Sequence, residues 1–218
     1  MCSLLIAIGE DLNGMRISRR LVSVIIVVLA ILGASSFKAA TETNASKMKA
    51  VVMQAYGGPE VLRLEDVPRP EPKDDEILIQ VVAASINPVD VGIRKGYLAE
   101  LVGKFPIIPG MDVAGVVEKA GSKVTKFKKG DPVFAFFTLM GEGGYAEFVA
   151  AKPDSEVAAK PSSVTFAQAA AVGAAGATAY EALVDEAKLS AGQTVLIHGG
   201  AGGVDILPSR SPRRVARK

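Results

Sequence analysis

Four glycines in five positions, Gly199, Gly200, Gly202 and Gly203, follow the apolar run Thr194-Val-Leu-Ile-His198 and precede Val204. Glycines at such a turn let backbone N–H groups approach a pyrophosphate, and a helix opening there turns its positive dipole end toward the anion. The spacing predicts a buried strand entering a phosphate-binding turn, with Gly199, Gly200, Gly202, Gly203 and Val204 as the cofactor contacts. Position 205 should be a glycine opening the helix. It is Asp205, whose carboxylate is unhelpful beside phosphates and is otherwise a solvated tail residue. His198, the sole histidine, is expected to be structural. The single cysteine, Cys2, excludes an intrachain disulfide and a cysteine-based zinc site.

After Val204 the helical period is lost. Ile206-Leu-Pro-Ser-Arg-Ser-Pro-Arg-Arg-Val-Ala-Arg-Lys218 holds two prolines and a cluster of bases. A frameshift accounts for this. One set of codons for residues 204–218, with one base restored after Val204, reads Gly-His-Leu-Ala-Val-Gln-Ile-Ala-Lys-Ala-Arg-Gly-Ala-Lys, an amphipathic helix opened by the missing glycine. The other reading is a genuine divergent basic tail. Residues 205–218 carry four Arg, one Lys and one Asp, a contribution of +4; the chain totals +2, so the remainder stands at −2. That balance gives no electrostatic case for a nucleic-acid partner.

Elements must position the glycine turn, and before them comes a targeting-like segment. Met15-Arg-Ile-Ser-Arg-Arg20 is basic, Leu21 to Ala34 is apolar, and Gly33, Ala34, Ser35 and Ser36 suit a signal peptidase. The apolar run is short for a span of roughly 20 residues, although an uncleaved membrane tether through residues 21–36 stays open. Ser18-Arg19-Arg20 weakly matches a twin-arginine signal. Export or membrane anchoring is therefore expected, with Met15 as initiator; a cytoplasmic chain with a buried core helix is the alternative.

Residues 1–47 form this segment and a polar linker, and folded sequence begins near Met48. Short alternating strands follow at Lys49–Gln54, Val61–Glu65, Glu76–Ala84, Val113–Lys119, Asp131–Phe137 and Gly144–Ala150. Between them lie Gly-rich turns and the extended Pro68, Pro70, Pro72 stretch. Such spacing predicts a β barrel or sandwich. Thr165-Phe-Ala-Gln168 is a capping box, and residues 169–187 read as a helix interrupted around Gly173 and Gly176. An all-β unit followed by a helix and a βα turn describes a two-domain enzyme with a cleft between the domains.

Five linked motifs then carry a resemblance: Ala84-Ser-Ile-Asn-Pro-Val-Asp90, Pro109-Gly-Met-Asp-Val-Ala-Gly-Val-Val-Glu118, Gly130-Asp-Pro-Val133, Gly143-Gly-Tyr-Ala-Glu147 and Ala201-Gly-Gly-Val204. In this order the chain resembles the zinc-independent, quinone oxidoreductase-like branch of the medium-chain dehydrogenase/reductase family, from Met48 to Val204. The resemblance implies a mixed α/β fold. A GroES-like β barrel would occupy residues 48–165, and the start of an incomplete Rossmann domain residues 166–204; residues 205–218 would be the frameshifted tail. It also implies NADPH, a small-molecule carbonyl or quinone substrate, and a homodimer for a full-length relative. Zinc-dependent relatives place a cysteine near Asn87–Asp90 and a Gly-His-Glu motif where this chain has Gly110-Met111-Asp112. Without those ligands a metal is not expected.

The same resemblance places Asn87 near the nicotinamide, against the plainer reading of a turn-forming Asn before proline. Tyr97 resembles a proton-donor tyrosine of related enoyl reductases, although its offset from Gly96 differs from many members. Thr178 matches a cofactor-contacting position, and is otherwise a helix hydroxyl bonding its own backbone. Asp90 is expected to order its loop. The expected function is NADPH-dependent reduction of quinones or α,β-unsaturated carbonyls, with the first Rossmann strand left unpaired and activity of the chain as written in doubt. Two alternatives stand beside it: a non-catalytic truncated GroES-like domain, and an exported binding protein.

Overall fold

The computed structural model describes residues 46–137, 143–190, 192–199 and 201–204. The targeting-like segment at 15–36, Gly200 and the tail at 205–218 lie outside the described residues. Among the described residues, no helix is long and apolar enough to cross a membrane.

Strand β1 (Lys47–Met53) pairs antiparallel with β2 (Leu62–Pro68). Five more strands form an antiparallel sheet: β3 (Ile77–Ser85), β4 (Asp112–Ala120), β5 (Pro132–Phe136), β6 (Phe148–Ala151) and β7 (Val157–Ala159), in the order β6-β3-β4-β5-β7. The two sheets meet where β1 passes Tyr145: the Val51 N–H donates to the Tyr145 carbonyl at 2.8 Å, and the Glu147 N–H to the Lys49 carbonyl at 3.0 Å.

Strand β4 is the centre of the sheet and is covered on both sides, which is why Asp112-Val-Ala-Gly-Val-Val reads as a nearly continuous apolar run. Val113 and Val117 face a core with Ile77, Ile79, Val133, Phe137 and Val149. Ala114, on the opposite face, packs against Ala169 and Ala170 of helix α2 (Phe166–Ala170). Asp112 shares that helix-side face, two residues before Ala114.

Helix α1 (Pro88–Arg94) follows β3 directly, in a segment whose sequence suggested only an ordered loop. Helix α2 opens on the expected capping box: the Gln168 N–H donates to Thr165 Oγ1 at 3.2 Å, and the Thr165 N–H to Gln168 Oε1 at 2.9 Å. The interrupted helix expected over 169–187 falls, with the turn before it, into three pieces. Helix α2 ends before Ala171, α3 runs Gly173–Tyr180, and a π-helical turn spans Glu181–Glu186. The break falls before Gly173, and Gly176 lies inside α3 without interrupting it.

The strand expected at Thr194–Ile197 requires correction. These residues carry no strand pairing, and Leu196 is 80% exposed. A strand exists only through its neighbours, and no described segment lies beside this one to take its N–H and C=O groups. His198 is exposed at the end of this irregular stretch.

Candidate active site

Three of the recurring motifs, distant in sequence, converge on one polar cluster. Ser85 ends β3, Asn87 caps α1, and Asp112 opens β4 beside them. Pro88 at the first helical position needs no N–H partner there, and Asp90 at the third turns its carboxylate back on the cap: Oδ2 accepts from the Asn87 N–H at 2.7 Å. The Asn87 side chain reaches the neighbouring strand, and its Nδ2 donates to Asp112 Oδ2 at 2.9 Å.

Asp112 is 1% exposed and accepts three hydrogen bonds. Ser85 Oγ donates to Oδ2 at 2.8 Å, Asn87 Nδ2 shares that oxygen, and the Ala174 N–H in the first turn of α3 donates to Oδ1 at 2.7 Å. The carboxylate therefore caps α3, where the helix dipole favours negative charge. Gly173 makes the approach possible, because a Cβ there would stand 2.3 Å from Asp112 Oδ1.

The third motif supplies Tyr145. Its N–H donates to the Pro109 carbonyl at 2.9 Å and its hydroxyl to Asp90 Oδ2 at 2.8 Å. Burial, and then the Asp90 carboxylate, push the phenol well above its ordinary value, so it stays a donor. Asp90 itself is 6% exposed, and its Oδ1 is buried with no hydrogen-bond partner.

The expected site residues divide. Asn87 lies in the cluster. Thr178 is joined to it indirectly: its hydroxyl donates to the Ala174 carbonyl at 2.8 Å, the plainer of its two readings, on the same residue whose N–H holds Asp112. Tyr97 follows α1 with its ring 75% exposed and takes no part in the cluster. Gly199, Gly202, Gly203 and Val204 lie on the irregular stretch after the helices, and Gly200 is outside the described residues. Ser85 and Tyr145 carry no signal of their own in the sequence, and Asp112 stands out there only as part of the replacement for a Gly-His-Glu motif. Each stood inside a quoted motif, but only their meeting in space gives them a role. Among the described residues, no three His, Cys, Asp or Glu side chains group as a metal site.

Residues 73–162 match the model for the alcohol dehydrogenase GroES-like domain. The chain belongs to the medium-chain dehydrogenase/reductase family. A quinone oxidoreductase of Sus scrofa is 44% identical over 177 residues, covering 81% of this chain and 53% of the relative. An Arabidopsis thaliana protein named NADPH-dependent alkenal/one oxidoreductase, chloroplastic, is 42% identical over 167 residues, covering 74% of this chain and 43% of the relative. The solved quinone oxidoreductase structure from Coxiella burnetii superposes with a TM-score of 0.66 at 38% identity, covering 74% of this chain and 52% of that one. The chain thus spans about half the length of the curated relatives it matches. Its fold is the mixed α/β type of that family, with a GroES-like domain.

Proposed function

We propose that the full-length protein is a zinc-independent, NADPH-dependent reductase of quinones or α,β-unsaturated carbonyls. The observation that carries this reading is the commitment of Asp112. It stands where zinc-dependent relatives carry part of their Gly-His-Glu motif, and its oxygens are taken up by Ser85, Asn87 and the first turn of α3. The site is built to hold Asn87 and a helix in fixed relation. The relatives' names supply the reaction class and the cofactor.

The residues present fit part of a dinucleotide. Gly199 takes a left-handed φ of 77°, its carbonyl accepts from the Gly202 N–H at 2.7 Å, and a Cβ position on Gly203 meets nothing within 4 Å. This open turn, with Gly200 and Val204, would hold the pyrophosphate, and Asn87 and Thr178 would contact the nicotinamide side. When bound, NADPH supplies the hydride. A proton would then be needed at the substrate oxygen. Tyr97 would protonate that oxygen, and its exposed phenol would recover a proton from water. Homodimerisation, and export through residues 15–36 or residence in the cytoplasm, belong to the same reading.

A second reading is favoured by exposed Leu196 and Val195, apolar residues of the unpaired stretch. It is a GroES-like domain that folds but binds no nucleotide. Titration of the purified chain with NADPH, followed by nicotinamide fluorescence and then by absorbance after quinone is added, separates the two. Saturable binding with quinone-dependent oxidation is expected for the reductase. A stable monodisperse chain showing neither would leave the non-catalytic domain.

A further inference from the structure

We propose that Tyr145 is a positioning residue whose hydroxyl fixes Asn87 and, through it, the N-terminus of α3. The connection is continuous. Tyr145 Oη donates to Asp90 Oδ2, the same oxygen accepts the Asn87 N–H, Asn87 Nδ2 donates to Asp112 Oδ2, and Asp112 Oδ1 accepts the Ala174 N–H. Each link is between 2.7 and 2.9 Å.

The donor end is built to be immobile. The Val51 N–H bonds the Tyr145 carbonyl, and the Pro109 carbonyl holds its N–H. The ring lies against Gly110, whose φ of 103° and whose would-be Cβ, 2.5 Å from Tyr145 Cδ1, leave no room for a side chain. Asp90 depends on this donor. With Oδ1 already orphaned, losing the phenol would leave the buried carboxylate with the Asn87 N–H alone. The carboxylate would then turn or draw in water, and the Asn87 backbone that it clamps would be released.

The consequence for turnover rests on the proposed reductase reading, whereas the mechanical coupling does not. The test is Tyr145→Phe in the full chain, with Asp90→Asn and the double variant, read by amide hydrogen exchange and by steady-state kinetics. Exchange at Asn87 and Ala174 should rise at least about tenfold in Tyr145→Phe while Val133 in β5 is unchanged, and the effect should vanish in the Asp90→Asn background. KM for NADPH should rise about tenfold with kcat within about twofold, the signature of lost uniform binding. Faster exchange confined to residues next to Tyr145, an effect undiminished by Asp90→Asn, or opened amides with unchanged KM would each overturn the proposal. If the unaltered chain neither binds nor oxidises NADPH, the reductase reading fails, and the amide exchange alone decides the coupling. Should Tyr145→Phe not fold, Asp90→Asn carries the same expectation at Asn87 and Ala174.

Discussion

Asp112 shows how a buried acceptor organises a site. It is 1% exposed, and removing such a group from water is costly unless its lone pairs are met. Ser85, Asn87 and the Ala174 N–H meet them, and each is thereby fixed. Gly173→Ala would drive a Cβ into Asp112 Oδ1 and toward Phe136 Cβ, 3.4 Å away, so the cap must break or the helix must shift. A loss of about 1–3 kcal/mol in urea unfolding is expected, with unchanged secondary structure by circular dichroism. Tyr145 gives a pH prediction. Its phenol is raised in the folded state, by burial first and by Asp90 second. Above the ordinary phenol value of about 10 the unfolded chain therefore loses a proton that the folded chain keeps, and stability falls as pH rises. Urea midpoints between about pH 9 and pH 11 should fall less steeply for Tyr145→Phe than for the unaltered chain. Parallel slopes would show that Tyr145 carries no such linkage.

At the scale of elements, local signals and tertiary signals part company. The capping box at Thr165 and Gln168 is local, read from four residues, and both of its hydrogen bonds form. Thr165→Ala should cost about 0.5–2 kcal/mol, measured by thermal unfolding, with Gln168→Ala costing less. The alanine-rich stretch behaves otherwise. Its composition predicts a helix interrupted around Gly173 and Gly176, whereas only the break before Gly173 forms: α2 ends where its alanines finish packing on Ala114, and α3 begins where Asp112 can reach Ala174. The interruption is set by a strand far away in sequence. Residues 194–197 are the opposite case: a pattern suited to a buried strand, with Leu196 exposed and no partner among the described residues.

Over the whole molecule, the GroES-like domain and its site-bearing edge are complete enough to fix Asn87, while the glycine turn stands on an irregular segment. The chain spans 53% of the Sus scrofa relative it matches. Supplying the residues that would flank 194–197, by expressing a chain continued in the alternative frame after Val204, should protect the Val195 and Leu196 amides from exchange and strengthen NADPH binding. Unchanged exchange at both would show that the irregular conformation is intrinsic to this segment.

The sequence by itself determined the β-rich character of residues 48–150, the Thr165 cap, the absence of cysteine ligands near Asn87, and the family, because each rests on short-range patterns or on motifs in fixed order. Asn87 was legible as a candidate for the same reason. The cluster was not. Ser85, Asp112 and Tyr145 are ordinary residues in sequence, separated by 27 and 33 positions (112 − 85 and 145 − 112). Only the antiparallel pairing of β3 with β4 brings Ser85 to Asp112, and the crossing of β1 past Tyr145 accompanies the bond from Tyr145 to Asp90. Helix α1 was hidden behind Asn-Pro, which reads equally as a turn until Asp90 is seen to close the capping box. What the tertiary structure decided was where buried polar groups find partners, and that is settled by which strands lie side by side.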